Sequence, residues 1–264
     1  MRSLLLLTII VVLSGCQTLT PSGNGTCEQI SQEHLFLKGS TDDAMANCVL
    51  SKDLSSLSLV TVNSFGGSVE SALKIGSALA AHSPHIIVDE NCNSSCANYF
   101  LPIASKVTVK PKSQVMIHGS LDVGIGKKHK MASLWDTIEA QDNYARTHKI
   151  HPGWLSYRYD YSGKGMSTFP YLSGNFDALD AGGRVGMFAV TPKMMRSCLP
   201  DVEITFQQPE YIDYTLSSET RKRQFIKQGA RPTGNWRCID GFDYKDLAPP
   251  DFAQLRKDYT ENNQ

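Results

Sequence analysis

Two adjacent serines and a histidine are the residues of this chain best suited to covalent chemistry. Ser94 and Ser95 stand between Cys92 and Cys96, and His118 follows the apolar run Val115-Met116-Ile117. A serine hydroxyl is a poor nucleophile until a nearby base removes its proton. Histidine suits that task because its pKa lies near neutrality. Upstream, Gly66-Gly67 follows Asn63-Ser64-Phe65, and glycine lets backbone N–H groups come close to a carbonyl oxygen. Gly66, Gly67 and the amide of Cys96 are therefore candidate oxyanion donors; losing one such donor typically costs roughly 10²–10³ in rate. The chemistry implied is acyl transfer. Each residue also has a plain structural use: a tight glycine turn, a serine helix cap, a strand-end histidine. Cys96 reads as a disulfide partner rather than a nucleophile, because Cys92 lies four residues earlier.

The elements that must position these residues alternate between strand and helix patterns. Leu35 to Leu37 is a short apolar strand ending at Gly39. Leu57 to Val62 reads as a buried strand running into the glycine turn. From Val69 to Ala81 the apolar residues recur at helical spacing, and His85 to Val88 is a second buried strand. Asn91 to Ser94 reads as a polar turn, Ala97 to Ala104 as helical, and Val107–Val109 and Ser113–Ile117 as strands, the last ending at His118. This alternation predicts an α/β fold with parallel strands and helical crossovers. Leu121 to Lys130 reads as a loop and Met131 to His148 as a helix, with Leu134, Trp135, Ile138 and Tyr144 inward and Asp136, Glu139 and Asp142 toward water. Pro152 to Asp180 is irregular, Val185 to Val190 a strand, and Thr191-Pro192 opens a helix through Arg196. The last stretch, 248–264, is polar and reads as a tail.

Three motifs together carry a family likeness: Val62-Asn63-Ser64-Phe65-Gly66-Gly67-Ser68-Val69, Asn93-Ser94-Ser95-Cys96-Ala97 and Ser113-Gln114-Val115-Met116-Ile117-His118. In order and spacing they resemble the Clp protease proteolytic subunit, of the crotonase-like superfamily, with signal peptide peptidase A as a relative. The likeness covers Leu35 to Gly119, with a weaker echo at Met187 to Pro192. It implies a repeated ββα core with parallel sheets, a serine nucleophile and His118 as general base. Counting forward to Lys106 places Ser95 on the family's serine; aligning Cys92-x-Ser94-x-Cys96 with exported relatives favours Ser94. Of the two, Ser95 is the preferred assignment from sequence. Gly186 stands where the family's acid falls, so Asp177 and Asp180 are the candidates for that role, each with the alternative of a solvated turn residue. A Ser–His dyad is the other option, since the acid mainly orients the imidazole. Lys106 and Lys74 read as solvated charges rather than as a lysine base.

The N-terminus implies export. Arg2 precedes the apolar run Leu4 to Leu13, too short to span a bilayer as a helix. Leu13-Ser14-Gly15-Cys16 resembles the lipobox of bacterial lipoproteins, which implies cleavage before Cys16 and acylation of that residue. Several acyl chains anchor durably where one is marginal. Gln17 after the cysteine, by the same analogy, favours the outer membrane and its periplasmic face. Residues 1–15 are thus read as signal, 16–30 as lipidated tether, 31–247 as the domain.

Seven cysteines leave six after lipidation, an even number in an exported chain that predicts disulfides. The sequence-local pairing is Cys27–Cys48, Cys92–Cys96 and Cys198–Cys238. No CxxC pair or His-rich cluster supports a metal, and no cofactor is expected. Lys+Arg and Asp+Glu both number 26, so nothing points to nucleic acid. A periplasmic face has no ATP, so no ATPase partner is expected. The resulting expectation is a membrane-tethered, ATP-independent serine peptidase acting on short or unfolded peptides, or homo-oligomers of such an enzyme. The alternative is a catalytically silent binding or scaffold lipoprotein with the same fold.

Overall fold

The computed structural model describes residues 24–117, 120–121, 132–155, 188–190, 192–207, 238 and 248–261. The signal segment, Cys16, the stretch 122–131 and most of 156–237 lie outside the described residues, as do His118, Asp177, Asp180 and Gly186.

A mostly parallel sheet forms the centre of an α/β fold. Its strands are β1 (Thr26–Ser31), β2 (His34–Thr41), β3 (Leu59–Gly67), β4 (His85–Asn93), β5 (Lys106–Val109), β6 (Gln114–Ile117), β7 (Phe188–Ala189) and β8 (Glu203–Phe206). The order is β1-β2-β3-β4-β5-β8, with β6 on β4 and β7 on β6. Among the described residues only the β1–β2 and β6–β7 pairs are antiparallel. Helices α1 (Asp43–Leu50), α2 (Val69–Ala80) and α3 (Ser95–Phe100) connect the parallel strands, α3 running into a 3₁₀ turn at Leu101–Ile103. Later helices are α4 (Ala132–Thr147), α5 (Pro152–Leu155), α6 (Pro192–Cys198) and α7 (Phe252–Glu261).

The core follows from strand alternation. Leu35 and Leu37 of β2, Val60 and Val62 of β3, Ile86 and Val88 of β4, and Val107 and Val109 of β5 are fully buried, as expected where every second side chain faces packed helices. Ile75 and Leu79 of α2 and Tyr99 and Phe100 of α3 cover them. Helices α1 and α2 begin on side-chain caps: Asp42 accepts from Met45 N–H at 3.0 Å for α1, and Ser68 from Ser71 N–H at 3.2 Å for α2.

Four elements differ from the sequence reading. The strand expected to stop at Val88 continues to Asn93, because its polar residues find amide partners across the sheet. Gln114 Nε2 donates to Asn91 Oδ1 (2.7 Å), Asn91 Nδ2 to Asn63 Oδ1 (3.3 Å) and Asn63 Nδ2 to Glu90 Oε2 (2.8 Å). The segment read as tether to residue 30 contains β1 from Thr26, fixed by Cys27–Cys48 and by Gly25 N–H on Asp42 Oδ2 at 2.9 Å. Asp142 is buried rather than solvated, because Arg146 reaches it at 2.6 Å. The polar C-terminal stretch holds α7, whose Phe252 packs on Trp135 and Ile138 while Arg256 bonds Asp136 at 2.8 Å and also Glu139. All three expected disulfides are present.

Candidate active site

β4 changes partner along its length. His85 to Val88 pairs with β5, and Asn91 to Asn93 pairs with β6. The change occurs at Glu90, which has φ +72° and whose N–H donates to Ser113 Oγ at 2.8 Å. Ligands of open α/β sheets bind beyond the carboxyl ends of strands, where the strand order switches. The carboxyl ends of β3 and β4 here carry the glycine pair and the serine pair.

The two serines occupy different environments. Ser94 is half-buried and joins β4 to α3 with φ 54° and ψ −125°. That backbone lies outside the allowed basins of an L-residue and costs about 1–3 kcal/mol, a cost that clusters at functional sites. Three ties enforce it. The Cys92–Cys96 disulfide brackets it with Cα atoms 5.3 Å apart. Its N–H donates to the Met116 carbonyl of β6 at 2.7 Å, and its own carbonyl accepts from Asn98 N–H at 2.9 Å. Ser95 is only 2% exposed. Its Oγ accepts from Gly67 N–H at 2.7 Å and donates to Gly67 O at 3.1 Å.

The glycine turn is braced by further hydroxyls. Gly66 N–H donates to Ser64 Oγ at 3.2 Å, and that oxygen lies 3.0 Å from Thr41 Oγ1. Gly66 has φ +84°, and a Cβ there would stand 2.7 Å from Ser94 Cβ and 2.9 Å from the Ser95 nitrogen. Glycine is thus required by both conformation and close approach. Both glycine amides expected to receive an oxyanion already donate to serine hydroxyls. The amides of Ser95 and Cys96, first and second in α3, have no acceptor within the helix.

The structure therefore brings Gly66, Gly67, Ser94, Ser95 and Cys96 together. His118 lies outside the described residues, as do Cys16, Asp177 and Asp180. The lysines keep their solvated reading. Lys106 pairs with Glu203 at 2.6 Å at the start of β5, where it is in register with His85, the first residue of β4. Lys74 pairs with Glu70 at 2.9 Å; that hydrogen bond holds its pKa above the ordinary value and keeps it protonated. Ser64 and Thr41 are not among the candidate residues read from the sequence. The signal was present: Ser64 falls on the inward side of an alternating strand, where a lone polar residue needs a partner.

No family model matches the chain, and no curated protein matches it.

Proposed function

We propose that this protein is a serine hydrolase acting on peptide bonds, with Ser94 rather than Ser95 as nucleophile and His118 as base. The observation that carries the reading is the half-buried Ser94 on a strained strand-to-helix turn, the arrangement that presents a nucleophile above a sheet. Ser95 is unsuited, because its hydroxyl is buried and already engaged at both its donor and acceptor sides. What supports His118 as base is its position in the sequence, two residues after Met116, whose carbonyl accepts from Ser94 N–H at 2.7 Å.

In the proposed reaction the Ser94 hydroxyl oxygen bonds to the substrate carbonyl carbon while His118 takes the hydroxyl proton. The Ser95 amide, following the nucleophile, donates to the carbonyl oxygen as it becomes negative. Collapse breaks the C–N bond, and the proton passes from His118 to the leaving amine. Water then repeats the sequence on the acyl-serine and returns Ser94. The crotonase-like, repeated ββα architecture belongs to this proposal; the mostly parallel α/β sheet supports it.

The same proposal places the enzyme on the envelope through acylated Cys16. Among the described residues no helix is long and apolar enough to cross a membrane; the proposed anchor is the lipid on Cys16. Cys16→Ala is expected to abolish incorporation of labelled palmitate and to move the protein from the membrane to the soluble fraction. Labelled palmitate retained by Cys16→Ala contradicts this. The hydrolase itself is tested by fluorophosphonate modification of Ser94. A folded, oxidised protein that never reacts favours the silent binding lipoprotein.

A further inference from the structure

Behind the serine turn, α3 and α4 meet through buried polar groups that the proposed reaction does not use. The hydroxyls of Tyr99 and Ser120 both donate to Gln141 Oε1, at 2.6 and 2.5 Å, and lie against each other. Gln141 Nε2 donates to the Leu121 carbonyl at 2.7 Å. A carboxamide oxygen accepts two hydrogen bonds and its nitrogen only donates, so these partners fix which way the amide faces. Tyr99, Ser120 and Gln141 are all buried. Burial pushes the Tyr99 phenol well above its ordinary pKa, so it remains a donor. From the other side, Tyr144 Oη donates to the Tyr99 carbonyl at 2.7 Å, and Trp154 Nε1 to the Ala97 carbonyl at 3.1 Å.

The placement of these groups along the chain is the telling feature. Tyr99 belongs to α3, the helix that Ser94 opens. Ser120 and Leu121 are two and three residues beyond His118. Gln141 therefore grips the chain leaving one proposed catalytic residue and the helix leaving the other. A leucine of similar volume fills such a space without desolvating an amide. What the amide adds is direction: four groups satisfied only at one relative placement of α3 and the 120–121 segment.

Resting on the reading of Ser94 and His118 as nucleophile and base, we infer that Gln141, with Tyr99, is a positioning residue that sets the spacing between them. The site is thereby assembled by α4, an element that contributes nothing to the reacting atoms.

The test uses the full lipidated chain in detergent, wild type against Tyr99→Phe and Gln141→Leu. A fluorophosphonate probe is reacted over a concentration series, and Ser94 modification is resolved into kinact and KI. Both variants are expected to lose at least about tenfold in kinact, part of the 10²–10⁴ that a well-placed base supplies, with KI unchanged. A purely structural role lowers the fraction of protein that labels and leaves kinact of the folded fraction at the wild-type value; that result overturns the inference. Should Gln141→Leu fail to fold, Tyr99→Phe, which removes one oxygen, decides alone. A wild-type protein that does not label overturns the hydrolase reading and this inference with it, whereas labelled wild type with unchanged variants overturns the inference only.

Discussion

Ser95 Oγ bonds both main-chain polar atoms of Gly67, accepting from its nitrogen at 2.7 Å and donating to its oxygen at 3.1 Å. One hydroxyl thus clamps the end of β3 to the start of α3. The clamp gives the adjacent serines separate tasks: Ser95 fixes the glycine turn, and Ser94 is left on the strained turn beside it. Ser95→Ala is expected to destabilise the fold by about 1 kcal/mol, because it removes the part-buried hydrogen bonds to Gly67, and to leave Ser94 reactive. Urea denaturation with fluorophosphonate labelling checks both halves. Abolished labelling in a stable Ser95→Ala protein would return the chemistry to Ser95.

Gly66 makes a sharper prediction. Alanine there forces an L-residue to φ +84° and sets a methyl 2.7 Å from Ser94 Cβ. The backbone cost alone is about 1–3 kcal/mol. Gly66→Ala is expected to lower the thermal midpoint and to remove Ser94 labelling together. Wild-type reactivity in this variant contradicts the close approach of the two turns.

The three disulfides separate stability from reactivity. Cys92–Cys96 spans 4 positions and Cys198–Cys238 spans 40. Loop entropy assigns about 2 kcal/mol to the first and about 4 kcal/mol to the second. If Cys92–Cys96 serves to hold Ser94, replacing both cysteines by alanine costs about 2 kcal/mol and at least about tenfold in labelling rate. Replacing Cys27 and Cys48, 21 positions apart, costs about 3 kcal/mol and leaves the rate alone. The reverse pattern, measured by denaturation and labelling on the same samples, contradicts the assignment.

Much of this arrangement was legible in the sequence. The strand–glycine turn–helix unit at residues 59–80 follows from alternation giving way to helical spacing, and the disulfides follow from the even number of cysteines left when Cys16 is read as lipidated. The polar end of β4 was not legible. Asn91 and Asn93 look like turn residues until β6 pairs alongside them and Gln114 donates to Asn91, a contact made only in three dimensions. The choice between Ser94 and Ser95 was closed to sequence for a related reason. Spacing constrains a motif to within a residue, whereas a positive φ at one serine and burial of the next are properties of the folded turn. Likewise α7 is polar in composition, and its packing rests on buried Phe252 and partly buried Leu255 and on the Arg256 pairs with Asp136 and Glu139.

The pH dependence of stability has a definite sign. His85 is held below the ordinary histidine range, first by burial and then by the positive charge of Lys106. Burial shifts His148 the same way. Both unfold into states that titrate near pH 6.5, about the unperturbed value. Between the folded and unfolded pKa values the unfolded chain binds more protons, so stability rises with pH there. It is present in full above the unfolded value and is lost as pH falls toward the folded one. The urea midpoint is expected to drop on acidification from neutrality, and His85→Gln to shrink that drop. An undiminished drop in His85→Gln contradicts the role given to His85.

The central claim is that Ser94 is an activated nucleophile, and the most direct measurement is mass spectrometry of the peptide modified by a fluorophosphonate. Modification is expected at Ser94 in the wild type and in Ser95→Ala, and none in Ser94→Ala or His118→Ala. Modification at Ser95, or a folded and fully disulfide-bonded protein that stays unmodified, would contradict it.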